Sequence, residues 1–423
     1  MAFVYSALLA VGLLLSLPYW LIQMMRHGKY RAGLRQRLGK VPGYLKESRP
    51  AIWVHAVSVG EVLAVSGVVG ELRRRYPQHR VVVSTTTDTG QRLARKRFGD
   101  DSVFYFPLDF AFAIRPYLDA LHPSLVVIAE TEFWPNFLRL AAGKGARIAV
   151  VNARISDRSW PGYRRLRRLL ARALEHVDLF LAQTETDRSR LVEIGAVPER
   201  VQVSGNLKFD VPLPTAPPIV ASLRTAIEGA GAGPVIVCGS TVDDEEPLLL
   251  RAFENVLASY PRALLILAPR HPERFVQVAQ ALEQLGIQFW RRSLWSGEPL
   301  GGGVLLVDTI GELAWLYALA DVAFVGGSLV PRGGHNIIEP AQHGVAILVG
   351  NHTENFRDIV SLFQGRDAVR VVGPAEFPLV LMELLSNDAE RSALGRRAAE
   401  TLRTQAGATA RTVAALEKLQ APK

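Results

Sequence analysis

The 423 residues hold a single cysteine, Cys238, and that scarcity excludes most cysteine chemistry at once. One thiol cannot build an internal disulfide framework or a cysteine-rich zinc site. Cys238 lies in the apolar run PVIVCGS and reads as core. Histidine is thinly spread as well. His55, His271 and His335 occur singly, no HExxH motif is present, and no metal is expected. Asp243–Asp244 has the look of a divalent-metal pair, but acids at a helix start are explained by the helix dipole. A Walker loop and a GxGxxG fingerprint are both missing, which argues against a P-loop and against a dinucleotide redox cofactor. No cofactor is expected. Low-complexity tracts and tandem repeats are absent too.

What remains is a long, half-hydrophobic, basic chain. At 49% hydrophobic residues it is no disordered tail, and its length suits two or three domains. The net charge is +9 and the pI about 9.8, which suits nucleic acid, acidic lipid or a phosphorylated substrate. The N-terminus decides among these. Ala2 to Met25 runs without a charge, enough to cross a hydrocarbon core of ~30 Å. A basic leader and a small-residue cleavage site are both lacking, so a cleaved signal peptide is not indicated. Arg26, Lys29, Arg31, Arg35, Arg37 and Lys40 follow, and the positive-inside rule keeps the body behind them cytoplasmic. Pro18 and the terminal position leave open a helix lying in one leaflet. Residues 1–25 are therefore expected to be a membrane anchor, with no nucleic-acid partner.

Behind the anchor, short apolar runs alternate with helical patterns. AIWVHAV, RVVVSTTT, SVFYFPL, SLVVIAE, RIAVVNA and DLFLAQT are the strand candidates of the first half. PVIVCGS, ALLILAP, GVLLVD, DVAFVGG, AILVGN and AVRVVG restart the pattern in the second. Such βα alternation implies parallel sheets with helices on both faces. VPLPTAPPIV, with four prolines, suits an extended linker. The expected organisation is an N-terminal Rossmann-like domain over 26–210, a linker over 211–220 and a C-terminal Rossmann-like domain over 221–423. The last helical stretch, Asn387 to Leu419, is expected to cross back. Ligands of open α/β sheets bind at the carboxyl ends of the strands, here in a cleft faced by both domains.

The strand ends carry the polar residues. In WVHAVSVGEVLAV, Glu61 stands alone in an apolar run where a strand hands over to a helix. Glu130 and Glu132 end a buried strand, where an acid is costly unless paired, and Lys208 and Arg154 are plausible partners. In the second half, Arg270 in LAPRHPERF is either a phosphate ligand or a solvated cation. Gly311 and Glu312 open another helix. In GGSLVPRGGHNIIEPAQHG the four glycines Gly326, Gly327, Gly333 and Gly334 would let a ligand approach the backbone, and a helix starting near His335–Asn336 would offer free N–H groups to a phosphate. An ordinary glycine-rich turn is the alternative. Arg154, Arg158, Arg164, Arg165, Arg167, Arg168 and Arg172 form either a solvated basic helix or a surface for anionic lipid head groups.

HAVSVGE, ETEFWPN, NARIS, GNLKFD, PRHPERF and FVGGSLVPRGGHNIIEP, in this order behind a hydrophobic N-terminus, resemble the Kdo (3-deoxy-D-manno-octulosonic acid) transferase family of lipopolysaccharide assembly. The resemblance covers essentially the whole chain and implies a GT-B fold at the cytoplasmic side of the inner membrane. It also implies CMP-Kdo as donor and a lipid A precursor, a tetraacyl disaccharide bisphosphate, as acceptor. Glu61 would be the catalytic base, kept ionised by its helix start, while Glu130 and Lys208 would stabilise the transition state. CMP contacts would fall on Pro269 and Arg270, on Ile310, Gly311 and Glu312, and on Asn336, Ile337, Ile338 and Glu339. Another membrane-associated GT-B lipid glycosyltransferase, or a nucleotide-sugar epimerase, is the alternative.

Overall fold

Among the described residues are fourteen short strands, most of them apolar and β-branched, and all but the edge ones are buried on both faces, as a parallel sheet demands. The computed structural model describes residues 2–27 and 32–420. Lys29 and Arg31 of the basic flank lie outside them. The chain divides into two compact units, one of residues 1–211 with 405–423 and one of residues 212–404.

The first unit contains β1 (Ala51–His55), β2 (Arg80–Thr85), β3 (Val103–Tyr105), β4 (Pro123–Ala129), β5 (Arg147–Ala153), β6 (Leu179–Ala182) and β7 (Val201–Val203). They form one sheet in the order β3-β2-β1-β4-β5-β6-β7, every pairing parallel. The order reverses between β1 and β4. At such a switch point the following loops run to opposite faces and leave a crevice for ligand. Trp53, fully buried, anchors one core face against Phe104, Phe106, Tyr117 and Phe137 at ring distances of 4.7–6.2 Å. Its indole N–H donates to Ser84 Oγ at 2.7 Å. Truncating such a residue to alanine costs about 3–5 kcal/mol.

The second unit repeats the plan with β8 (Val235–Thr241), β9 (Leu264–Pro269), β10 (Phe289–Arg291), β11 (Gly303–Leu306), β12 (Val322–Val325), β13 (Ala346–Gly350) and β14 (Arg370–Val372). Its order is β10-β11-β9-β8-β12-β13-β14, again all parallel, with the switch point between β8 and β12.

The C-terminal stretch is two helices, Asp388–Gln405 and Ala408–Gln420, broken at Gly407, whose φ of +95° glycine adopts readily. The second belongs to the first unit. Ala408, Val413 and Leu416 are buried in the core shared with Val62, Val65 and Val69. Asp210 caps this helix, accepting from Gly407 N–H at 2.7 Å and Thr409 N–H at 2.5 Å.

The N-terminal helix, Ala2–His27, docks by its first turns: Asn136 Nδ2 donates to Ser6 Oγ at 3.0 Å. Val4, Leu8, Val11, Leu14 and Leu15 remain exposed. Among the described residues no helix is long and apolar enough to cross a membrane.

Candidate functional site

In the first unit the candidate residues gather at the β1–β4 switch point. Glu61 is the third residue of the helix Val59–Arg75, which follows β1 directly and is capped by Ser58. Ser58 Oγ donates to Glu61 Oε1 at 2.9 Å, and Val57 N–H donates to Oε2 at 2.8 Å. This reciprocal cap holds the carboxyl group rigidly while leaving each oxygen a second lone pair. Glu61 is 7% exposed. Burial, then the negative charge of Glu130, lifts its pKa from 4.5 to about 7, against the Val57 and Ser58 hydrogen bonds. The helix start was expected to keep this acid ionised. Desolvation and a neighbouring carboxylate outweigh the dipole, and the group sits poised near neutrality instead.

Glu130 stands at the end of β4 with φ +57°, a left-handed conformation that costs a non-glycine residue energy and that packing must hold. Its carboxylate pairs with Lys208, Nζ to Oε1 3.2 Å. Lys208, one of the two cations expected as its partner, is found there. Glu132 is held above its usual range by burial and by Glu130. Three acids and one lysine therefore share this crevice.

Asn152 went unnoticed in the sequence. Fully buried at the end of β5 with φ +54°, it accepts Leu207 N–H on Oδ1 at 2.9 Å. Asn206 Oδ1 accepts Lys208 N–H at 2.9 Å. These two amides fix the turn that carries Lys208. The signal available was an asparagine within NARIS, but its partner lies 55 residues away.

In the second unit three strand ends converge. Pro269 is buried as the last residue of β9, and Arg270 follows it, exposed. The positive charge of Arg270 acts on both Glu339 and His335. Burial raises the Glu339 carboxyl, and Arg270 opposes that rise. Burial, with Arg270 and His271, lowers His335 to about 4, so its ring is neutral. Ile310 and Gly311 are exposed after β11. Glu312 is already engaged, by Arg292 Nη2 at 2.7 Å and Thr309 Oγ1 at 2.7 Å. His343 Nε2 meets Ala314 O at 2.7 Å, tying the short helix Leu313–Leu316 to the end of the helix Ile338–Gln342.

Two expectations for the glycine-rich loop change. The helix starts at Ile338, not near His335–Asn336, and Asn336 Oδ1 accepts Ile338 N–H at 3.1 Å just ahead of its first turn. Ile337 and Ile338 have core side chains, leaving only their backbone to meet a ligand. Nor do the first glycines open the backbone to ligand. A Cβ on Gly326 would lie 2.6 Å from Ser240 O, and one on Gly327 would lie 2.9 Å from the His335 ring. Their N–H groups face inward as well. Glu245, fully buried, accepts from Gly327, Ser328 and Leu329 N–H at 2.7–2.8 Å and from Val242 N–H at 3.2 Å. A side-chain carboxylate thus fills the nest that a phosphate would need. Glu245 was missed because it sits in DDEEP, where every acid looks like a helix-start charge. Asp243 and Glu246 of that run pair with Arg274, at 2.6 Å and 3.0 Å. Among the described residues no cluster suited to a metal ion is found.

Two seven-stranded parallel sheets, each with polar residues at its carboxyl end, define a GT-B-like fold. The UDP-GlcNAc 2-epimerase of Neisseria meningitidis, solved with UDP-GlcNAc, shares it: TM-score 0.59 over 87% of this chain and all of that one, at 13% identity. Sequence comparison is more specific. The family model for 3-deoxy-D-manno-octulosonic-acid transferase (kdotransferase) matches residues 32–211. The 3-deoxy-D-manno-octulosonic acid transferase of Haemophilus influenzae is 34% identical over 97% of this chain and 96% of its own. That of Bordetella pertussis is 38% identical over 86% of each chain. The chain belongs to the 3-deoxy-D-manno-octulosonic acid (Kdo) transferase family.

Proposed function

We propose that the protein transfers Kdo from CMP-Kdo to a hydroxyl of a lipid A precursor, a tetraacyl disaccharide bisphosphate, with Glu61 as general base and inversion at the anomeric carbon. Membership of the family carries Kdo transfer in lipopolysaccharide core biosynthesis. The observation that supports the mechanism is a rigid, buried carboxyl at the β1–β4 switch point, with a pKa of about 7.

An alcohol attacks poorly until a base takes its proton, a contribution of ~10²–10⁴-fold when base strength is matched to working pH. Glu61 accepts the acceptor's proton as the oxygen bonds to the anomeric carbon of Kdo. The bond from that carbon to the CMP phosphate oxygen breaks, and its electrons leave with CMP. Lys208 supplies the positive charge on the first unit, held in place by Glu130. Arg270 receives the phosphate on the second, beside the backbone of Asn336 to Glu339.

The N-terminal helix supports a membrane site of action. Its exposed leucines and valines suit a helix lying in the interface at the cytoplasmic side of the inner membrane.

Mass spectrometry of lipid incubated with purified protein and CMP-Kdo tests this directly. A product heavier by Kdo is expected. An unmodified lipid, with displacement of bound nucleotide by UDP but not CMP, would favour another glycosyltransferase or an epimerase.

A further inference from the structure

The first unit carries a second basic feature that the chemistry above does not use. From Arg158 to Leu174 the chain contains six arginines and no acid. It folds into two short helices, Trp160–Arg165 and Arg167–Leu174. Ala173 and Leu174 are buried in the core, with Trp160, Tyr163 and Leu170 packed against it. Arg158, Arg164, Arg165, Arg167, Arg168 and Arg172 all lie on the exposed side. None of them is drawn into an ion pair among the described residues, although nearby Asp157 is held by Arg190 at 2.5 Å.

A merely solvated helix would present charge alone. Here Leu166 is 56% exposed and Leu169 36% exposed, set between the arginines. Mixed guanidinium and leucine side chains suit the boundary where lipid phosphates meet acyl chains. Position gives the second argument. Tyr163 packs edge-on to Phe133 at 6.2 Å and donates its hydroxyl to Thr131 O at 3.3 Å. The N-terminal helix docks on Asn136, at the start of the helix Pro135–Gly143. The basic ridge and the apolar helix thus flank the same segment, Thr131–Asn136, which leads directly from Glu130.

We infer that the Arg158–Arg172 ridge is a second membrane contact, binding the anionic phospholipid head groups of the bilayer surface and holding the Glu61–Glu130 crevice at the level of the lipid phosphates. The inference rests on the membrane reading of the N-terminal helix. Charge complementarity selects the occupant, since unpaired guanidinium groups recruit phosphates.

The test uses the full chain and its R164Q/R165Q/R167Q/R168Q variant. Binding is measured to vesicles of phosphatidylcholine alone and of phosphatidylcholine mixed with phosphatidylglycerol, at low and high salt. The intact protein is expected to prefer the mixed vesicles, and salt to erase that preference. The variant should bind the mixed vesicles at least about tenfold more weakly, since each arginine near an anionic surface contributes roughly fivefold. Its Kdo transfer on detergent-dispersed acceptor should be unchanged, which also shows that it is folded. Equal binding of both vesicle types by the intact protein would overturn the inference, whatever the variant does. Undiminished vesicle binding by the variant, with a raised KM for detergent-dispersed acceptor, would instead assign the arginines to the acceptor's own phosphates. Absence of Kdo transfer by the intact protein would count against the proposed reaction and leave the vesicle result standing.

Discussion

Lys208 Nζ lies 3.2 Å from Glu130 Oε1, joining residues 78 apart in sequence. Their side chains are 27% and 28% exposed, so the pair is reachable from the crevice yet shielded enough to matter. The backbone that carries the lysine is fixed by the Asn152 and Asn206 amides beneath it. Glu130 in turn lends its charge to Glu61, whose proton affinity it helps to raise.

Replacing Glu61 separates chemistry from stability. Glu61→Gln should lower turnover by at least about two orders of magnitude while leaving donor affinity intact. The same change should stabilise the fold at alkaline pH. Glu61 has a folded pKa of about 7 against an ordinary 4.5, so its contribution is fully present below pH 4.5 and lost as pH rises through 7. Glutamine carries no charge to desolvate. Urea denaturation should find the variant up to about 3 kcal/mol more stable above pH 7 and level with the parent near pH 4. Near-normal turnover in the variant would mean that Glu61 matters only as a cap, since glutamine can keep the cap hydrogen bonds.

The pH dependence should report the same group. kcat/KM is expected to climb with unit slope up to about pH 7, as Glu61 loses its proton, and then level off. Glu130→Gln removes a negative neighbour, so the rising limb should move to lower pH. A limb that stays in place would detach Glu130 from the proton affinity of Glu61.

Asn152→Ala tests whether the lysine's placement matters. The substitution leaves Leu207 N–H buried without its acceptor, which costs about 1–3 kcal/mol. The turn bearing Lys208 should loosen, and kcat should fall while donor affinity holds, since Asn152 lies in the first unit. Unaltered kcat in a folded variant would show that this positioning is dispensable.

On the second unit, Arg270→Ala should weaken donor binding about tenfold to a hundredfold, the loss of one charge-assisted contact to phosphate. Calorimetric titration with CMP measures it directly, and an unchanged Kd would remove Arg270 from the donor site.

Glu245→Gln should also weaken CMP binding, although Glu245 is expected to touch no ligand. An amide offers one oxygen where the carboxylate offers two, so part of the Gly327–Leu329 N–H row would face another donor. The loop leading to His335 and Asn336 should lose its fixed shape. A thermal melt lowered together with CMP affinity is expected; full affinity in a destabilised protein would separate the loop from the donor site.

The alternation of apolar runs and helices was plain in the chain, because strands buried on both faces must be continuously hydrophobic and βα units must lie parallel. The positions of Glu61 and Arg270 just after strand ends followed from the same periodicity. What the chain could not reveal was which strand lies beside which. The switch points β1–β4 and β8–β12 bring together residues from distant segments, and those adjacencies set the electrostatics. Glu61 looked like an ionised helix-start acid because the dipole is local. Its pKa near 7 arises from burial and from Glu130, which only tertiary packing supplies. Glu245 looked like one acid among several for the same reason, until folding wrapped four backbone N–H groups around it. Local pattern determines the elements, whereas desolvation and long-range neighbours decide what their charged ends can do.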